Sequence, residues 1–117
     1  PAGAPVPLPR IELHLAHNLR GVGRLAEAES RLQTLLRDAA AAEADFRARV
    51  LLELAALARE RGALEAAGQH LREARAALVE PGVEWRIEQA RWLMARGDLA
   101  AARAELDAAL AQVTASD

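Results

Sequence analysis

The chain has no cysteine and no tyrosine, one phenylalanine, one methionine and two tryptophans. Without cysteine there is no disulfide framework, no thiolate zinc site and no cysteine nucleophile. Lysine is also missing, so all 15 basic residues are arginine, set against 17 acids for a formal net charge of -2. The two signs are interspersed rather than blocked. No basic stripe is present to neutralise phosphates, which argues against nucleic-acid binding. No apolar run reaches transmembrane length and no secretory leader is visible, so no membrane association and a cytoplasmic setting are expected. Lack of lysine and tyrosine, with Asn18 the single asparagine, suits the codon usage of a GC-rich bacterial genome. Arginine in place of lysine therefore carries little functional weight.

Catalytic constellations are lacking too. The only serines are Ser30 and Ser116 and the only threonines Thr34 and Thr114, none placed beside a histidine and a carboxylate. Acids are spread along the chain rather than paired in an apolar setting that would separate their pKa values. No enzymatic activity and no cofactor are expected.

What the chain has is alanine and leucine, 30 and 19 of its 117 residues, alongside arginine and glutamate. These are the strongest helix formers, and β-branched residues are sparse, so an all-α fold follows. The length fits one domain able to bury roughly two thirds of its unfolded surface. A pattern of glycine, leucine two residues on and alanine three beyond that occurs three times: Gly23/Leu25/Ala28, Gly62/Leu64/Ala67 and Gly97/Leu99/Ala102. Four residues past each alanine stands another leucine: Leu32, Leu71 and Leu106. Self-similarity at such a period marks a stacked repeat array. In that context Arg96-Gly97-Asp98, although it matches a cell-adhesion tripeptide, is one copy of a repeated turn.

The leader PAGAPVPLP holds four of the five prolines and reads as a stiff linker over 1–9, as in a piece of a longer protein. Pro9 suits the first turn of a helix. Apolar residues at i, i+3, i+4 and i+7 predict six helices, about Arg10–Arg20, Arg24–Ala42, Asp45 to Gly62, Leu64–Leu78, Val83–Ala95 and Asp98–Thr114. Asp45 and Asp98 are placed as caps. Short links imply three antiparallel hairpins, about 10–42, 45–80 and 83–114, with a tail at 115–117. Gly21-Val22-Gly23-Arg24-Leu25-Ala26 mimics a dinucleotide-binding loop, but no strand precedes it. On the last helix the expected core stripe is Leu99, Ala102, Leu106, Ala109, Leu110 and Val113.

These residues resemble the tetratricopeptide repeat, a helix-turn-helix unit of about 34 residues. The small residues that family places where its helices cross are here Ala16 with Ala28, Ala55 with Ala67 and Ala90 with Ala102. The family's turn glycine is matched by Gly23, Gly62 and Gly97, and its late-helix small or apolar residue by Leu35, Ala74 and Ala109. The resemblance spans roughly Ile11 to Leu110. It implies a right-handed superhelical stack of three hairpins, an α-solenoid. The usual first-helix aromatics are missing: Glu12, Leu51 and Arg86 replace a tryptophan, and Leu19, Ala58 and Leu93 a tyrosine. The longer first spacing suggests an extra turn in Arg37–Glu43. Such degenerate repeats resemble those of bacterial multidomain regulators similar to the maltose-regulon activator.

The resemblance implies a non-catalytic module holding a protein or peptide partner in a concave groove lined by the first helix of each hairpin. Mapped onto this chain, that face is Leu13, His14, His17, Arg20, Arg49, Leu52, Glu53, Ala56, Arg59, Ile87, Glu88, Arg91 and Met94. Arg20 and Arg59 would lie side by side and clamp a carboxylate, or else be solvated and paired with Glu53 or Glu60. His14 and His17 are spaced for a metal but lack an acidic or thiolate companion on their face, so no metal is expected. Trp85 and Trp92, seven apart, either pack on the fourth helix around Leu71 and Leu78 or anchor a partner. Ala101, Ala104, Ala108 and Ala111 form a smooth stripe on the last helix, suited to a further helix or to a second copy in a homodimer. The alternatives to an interaction module are a ligand-sensing segment of a transcription activator or signalling ATPase, and a homodimerising scaffold.

Overall fold

The computed structural model describes residues 8–38 and 43–115. Those residues contain six helices and no strand: α1 (Leu8–Gly21), α2 (Leu25–Asp38), α3 (Ala44–Glu60), α4 (Leu64–Ala77), α5 (Val83–Ala95) and α6 (Leu99–Ala115). The leader to residue 7, residues 39–42 and the last two residues of the expected tail lie outside the description.

Three helix ends are built alike. Gly23, Gly62 and Gly97 all take positive φ, +87°, +79° and +85°. Gly23 N–H donates to the Arg20 carbonyl and Arg24 N–H to that of Leu19; Gly62 with Ala63, and Gly97 with Asp98, repeat the pair onto Arg59 and Ala58, and onto Met94 and Leu93. This closure satisfies the orphan carbonyls of a helix end and demands a left-handed residue, which glycine supplies without strain. Asp98 then caps α6: its Oδ1 accepts from Ala101 N–H at 3.2 Å. The Arg-Gly-Asp tripeptide is thus a helix stop followed by a helix start.

Each turn folds its two helices against one another. Glu12 of α1 meets Arg31 of α2 at 2.9 Å, and Arg86 of α5 meets Gln112 and Glu105 of α6. The pairings run in opposite chain directions, so the hairpins are antiparallel. At the crossings the six alanines, Ala16, Ala28, Ala55, Ala67, Ala90 and Ala102, are no more than 2% exposed. Between hairpins, α2 packs on α3 and α4 on α5, while the first helices touch in sequence, α1 with α3 and α3 with α5. No other helix pair is in contact among the described residues, so the first and last hairpins do not meet. The radius of gyration is 15.0 Å, above the roughly 13 Å of a compact domain this long.

Burial concentrates in the middle. Helix α3 buries Ala48, Val50, Leu51, Leu54, Ala55, Ala56, Leu57 and Ala58, and joins Leu19, Leu32 and Leu35 in the largest cluster. Helix α6 buries only Ala102 and Ala109. Its expected core residues Leu99, Leu106, Leu110 and Val113 are instead 66%, 40%, 64% and 48% exposed. The reason is that among the described helices α6 packs on α5 alone, so one narrow face is covered and the leucine stripe beside it meets no other described helix.

One smaller expectation is corrected. Helix α3 begins at Ala44, with Glu43 before it and no side-chain cap, so Asp45 sits inside the first turn. The extra turn expected in Arg37–Glu43 falls largely on residues 39–42, outside the description. Helices α2 and α4 both have 14 residues, but α3 has 17 and α5 has 13. Helix α3 is longer than α1 or α5, and Phe46 and Ala48 near its start pack on the core.

Both tryptophans lie half-buried on α4. Trp85 Nε1 donates to the Leu71 carbonyl at 2.9 Å and Trp92 Nε1 to that of Leu64 at 2.7 Å. Seven residues separate the donors and seven the acceptors, so the helices lock in one register. Gly68 between them makes room: a Cβ there would stand 2.6 Å from the Trp92 ring. Gly68→Ala should therefore destabilise the fold by about 1–2 kcal/mol, overpacking outweighing the gain in helix propensity. Urea denaturation followed by circular dichroism measures this.

His70 on α4 is half-buried and its Nδ1 has no hydrogen-bond partner. Burial lowers its pKa, and the carboxylates of Glu73 and Glu29 only partly oppose this. The folded protein then binds this proton less readily than the unfolded chain. Stability should be complete above the ordinary histidine pKa near 6.5 and decline as pH falls below it. Denaturation between pH 5 and about 8 should show that decline, and His70→Gln should flatten it.

Candidate functional site

The first helices α1, α3 and α5 carry the residues expected to form a groove, and their polar side chains engage one another across the helix contacts. His17 Nδ1 lies 2.7 Å from Glu53 Oε1, and Arg20 Nε donates to Glu53 Oε2 at 2.9 Å. Arg20 also bonds Glu60. One step along, Arg59 grips Glu88 with two nitrogens, at 2.6 and 3.3 Å, and Arg91 approaches the same carboxylate at 3.8 Å. The links of Arg20 and Arg59 run from one first helix to the next; Arg91 reaches Glu88 within α5.

The links are periodic. Arg20 and Arg59 each stand three residues before a turn glycine, and Glu53 and Glu88 each stand nine before the next one. Equivalent arginines therefore meet equivalent glutamates one hairpin on. The same positions at the two ends hold His14, where a glutamate would receive an upstream arginine, and Met94, where an arginine would reach onward. Neither can extend the ladder. Glu88 is its most buried member, 5% exposed, and is the single buried charged residue of the described chain.

Electrostatics follow from this packing. Burial works against the charge of Arg20, but the hydrogen bonds and charges of Glu53 and Glu60 outweigh it and raise its pKa. Arg20 and Arg59 are thus neither solvated nor free: their forks are taken by glutamates of the same chain. The glutamate partner of Arg59 could have been found in the sequence only by comparing offsets from the glycines, because 29 residues separate the two.

The other expected groove residues fall into two sets. Leu13, Leu52 and Ile87 are half-buried and Ala56 is buried. His14, His17, Arg49, Arg91 and Met94 are exposed. Together they offer two unpaired or weakly paired cations beside apolar area, a surface able to take an acidic, partly apolar chain. No group of three or more histidine and acidic side chains could hold a metal among the described residues. His17 does meet a carboxylate, supplied by the neighbouring helix rather than by its own. No described helix is long and apolar enough to cross a membrane. On α6, Ala104 and Ala111 are exposed, while Ala101 and Ala108 are half-buried.

Removing the buried acid tests whether the ladder holds the stack. Glu88→Gln strands the half-buried Arg59 guanidinium and should cost about 2 kcal/mol of stability. In a double-mutant cycle with Arg59→Gln the double variant should lose less than the sum of the single losses. Additive losses would mean that the two side chains contribute separately.

No family model matches the chain, and no curated protein or solved structure does, so its own geometry carries the reading of this face.

Proposed function

We propose that the three hairpins form a degenerate tetratricopeptide-like solenoid, a non-catalytic interaction module that holds a protein or peptide segment on the face of α1, α3 and α5. The stepwise contact of the first helices supports the stacked arrangement, as do the six buried alanines and the thrice-repeated glycine turn. The observation that carries the functional reading is the ladder from His17 and Arg20 through Glu53 to Arg59 and Glu88. It ties three helices into one pre-organised surface and leaves Arg49, Arg91, His14 and Met94 outward. Pre-organisation lowers the ordering cost of binding. Placement in a larger bacterial regulator belongs to the same proposal.

A second reading rests on α6. Its exposed Leu99, Leu106, Leu110 and Val113 lie on one narrow stripe. Apolar side chains in such a row suit helix-to-helix contact, as in a homodimerising scaffold.

One experiment separates the two. A partner recovered by cross-linking to the wild-type chain should bind Arg49→Glu, Arg91→Glu chain at least about tenfold more weakly if the first-helix face recognises it. Unchanged affinity would overturn that reading. Light scattering of the same chains, with Leu110→Arg as the comparison, reads the alternative: a dimer dispersed by Leu110→Arg identifies α6 as the working surface.

A further inference from the structure

A cleft of about 390 Å³ opens between α4 and α5, away from the ladder. Trp85 and Trp92 wall it, Gly68 floors it, and Arg72, Arg75 and Gln89 edge it. Both indole N–H groups are spent on α4 carbonyls, which fixes the rings and leaves their apolar surface to the cleft. Gly68 brings no side chain, so the Trp92 ring seats directly against α4 there.

The lining carries charge of one sign. Elsewhere Arg20, Arg59 and Arg86 are each matched to a glutamate. The cleft has two guanidinium groups and no carboxylate. Arg72 donates to the Gln69 amide oxygen at 2.8 Å and Arg75 to the Leu78 carbonyl at 3.3 Å. Neither makes an ion pair among the described residues. A third arginine, Arg96, lies 4.6 Å over the Trp92 ring and adds to the positive field.

We infer that this cleft binds an acidic peptide segment, with a carboxylate between Arg72 and Arg75 and an adjoining aliphatic side chain against the indoles. The guanidinium forks favour a planar carboxylate, and Gln89 can add an amide donor. The tryptophan walls give apolar area that a bare anion would leave unused. A nucleic acid fits poorly, because two arginines on a chain of net charge -2 offer no track for a phosphate backbone. The volume is within the range of sites that enclose a few side chains. This inference is independent of the first-helix face, since Gly68, Arg72 and Arg75 belong to α4.

The chain reports on the cleft directly, because Trp85 and Trp92 are its only tryptophans. The probe is a peptide of three glutamates alternating with two leucines, blocked at both ends and free of aromatics. Titration into the full chain should change indole emission saturably. Replacing the probe's glutamates by glutamine, or making Arg72→Gln with Arg75→Gln, should weaken binding by about tenfold or more. Arg49→Glu, Arg91→Glu chain should bind the probe like the wild type, which keeps failure here distinct from failure of the first-helix reading. No saturable response would overturn the inference, as would equal affinity for the glutamine peptide or for acetate. The glutamine peptide makes the test independent of how any variant folds.

Discussion

Everything else in this structure depends on how closely two helices can approach at their crossing. Alanine at both sides of that point lets backbones come together with no side chain between them, and all six such alanines are sealed from solvent. A larger residue would pry a hairpin open and carry its partners off their contacts. Because the hairpins close tightly, α1, α3 and α5 stand near enough for arginine on one to reach glutamate on the next. The polar ladder is therefore downstream of an apolar constraint.

Shared placement also explains why this face is held rather than merely decorated. An isolated surface ion pair stabilises little, because solvent screens it and two long side chains must be ordered. Glu88 differs: it is buried, receives two nitrogens of Arg59 and is approached by Arg91. Its carboxylate is matched by charge and by hydrogen bonds, which a buried acid requires. The tryptophans do the equivalent work at the α4–α5 boundary with neutral groups, each indole donating to a helix carbonyl and placing its ring against α4.

Much of this was legible in the sequence because it is local or periodic. Gly23, Gly62 and Gly97 announced a common turn, Asp98 its capping role, and the spacing of Trp85 and Trp92 a shared face on α4. Other features depend on what stands opposite. Leu99, Leu106, Leu110 and Val113 have the spacing of a buried stripe, but spacing does not supply the neighbour that buries them. Pairing of Arg20 with Glu53 or Glu60 was one of the two readings open in the sequence, whereas the Glu88 partner of Arg59, across a superposed hairpin, leaves no trace in adjacent residues.

The single-sided attachment of α6 has a thermal consequence. A helix held along one narrow contact opens at lower free energy than one clasped from several directions, so cohesion must grade from α3 outward. Amide protons of the last hairpin would exchange soonest, and anything that clothed the bare leucines would firm up that extremity first. Occupancy of one flank would then be felt as stiffness in the neighbouring hairpin, without any change of shape.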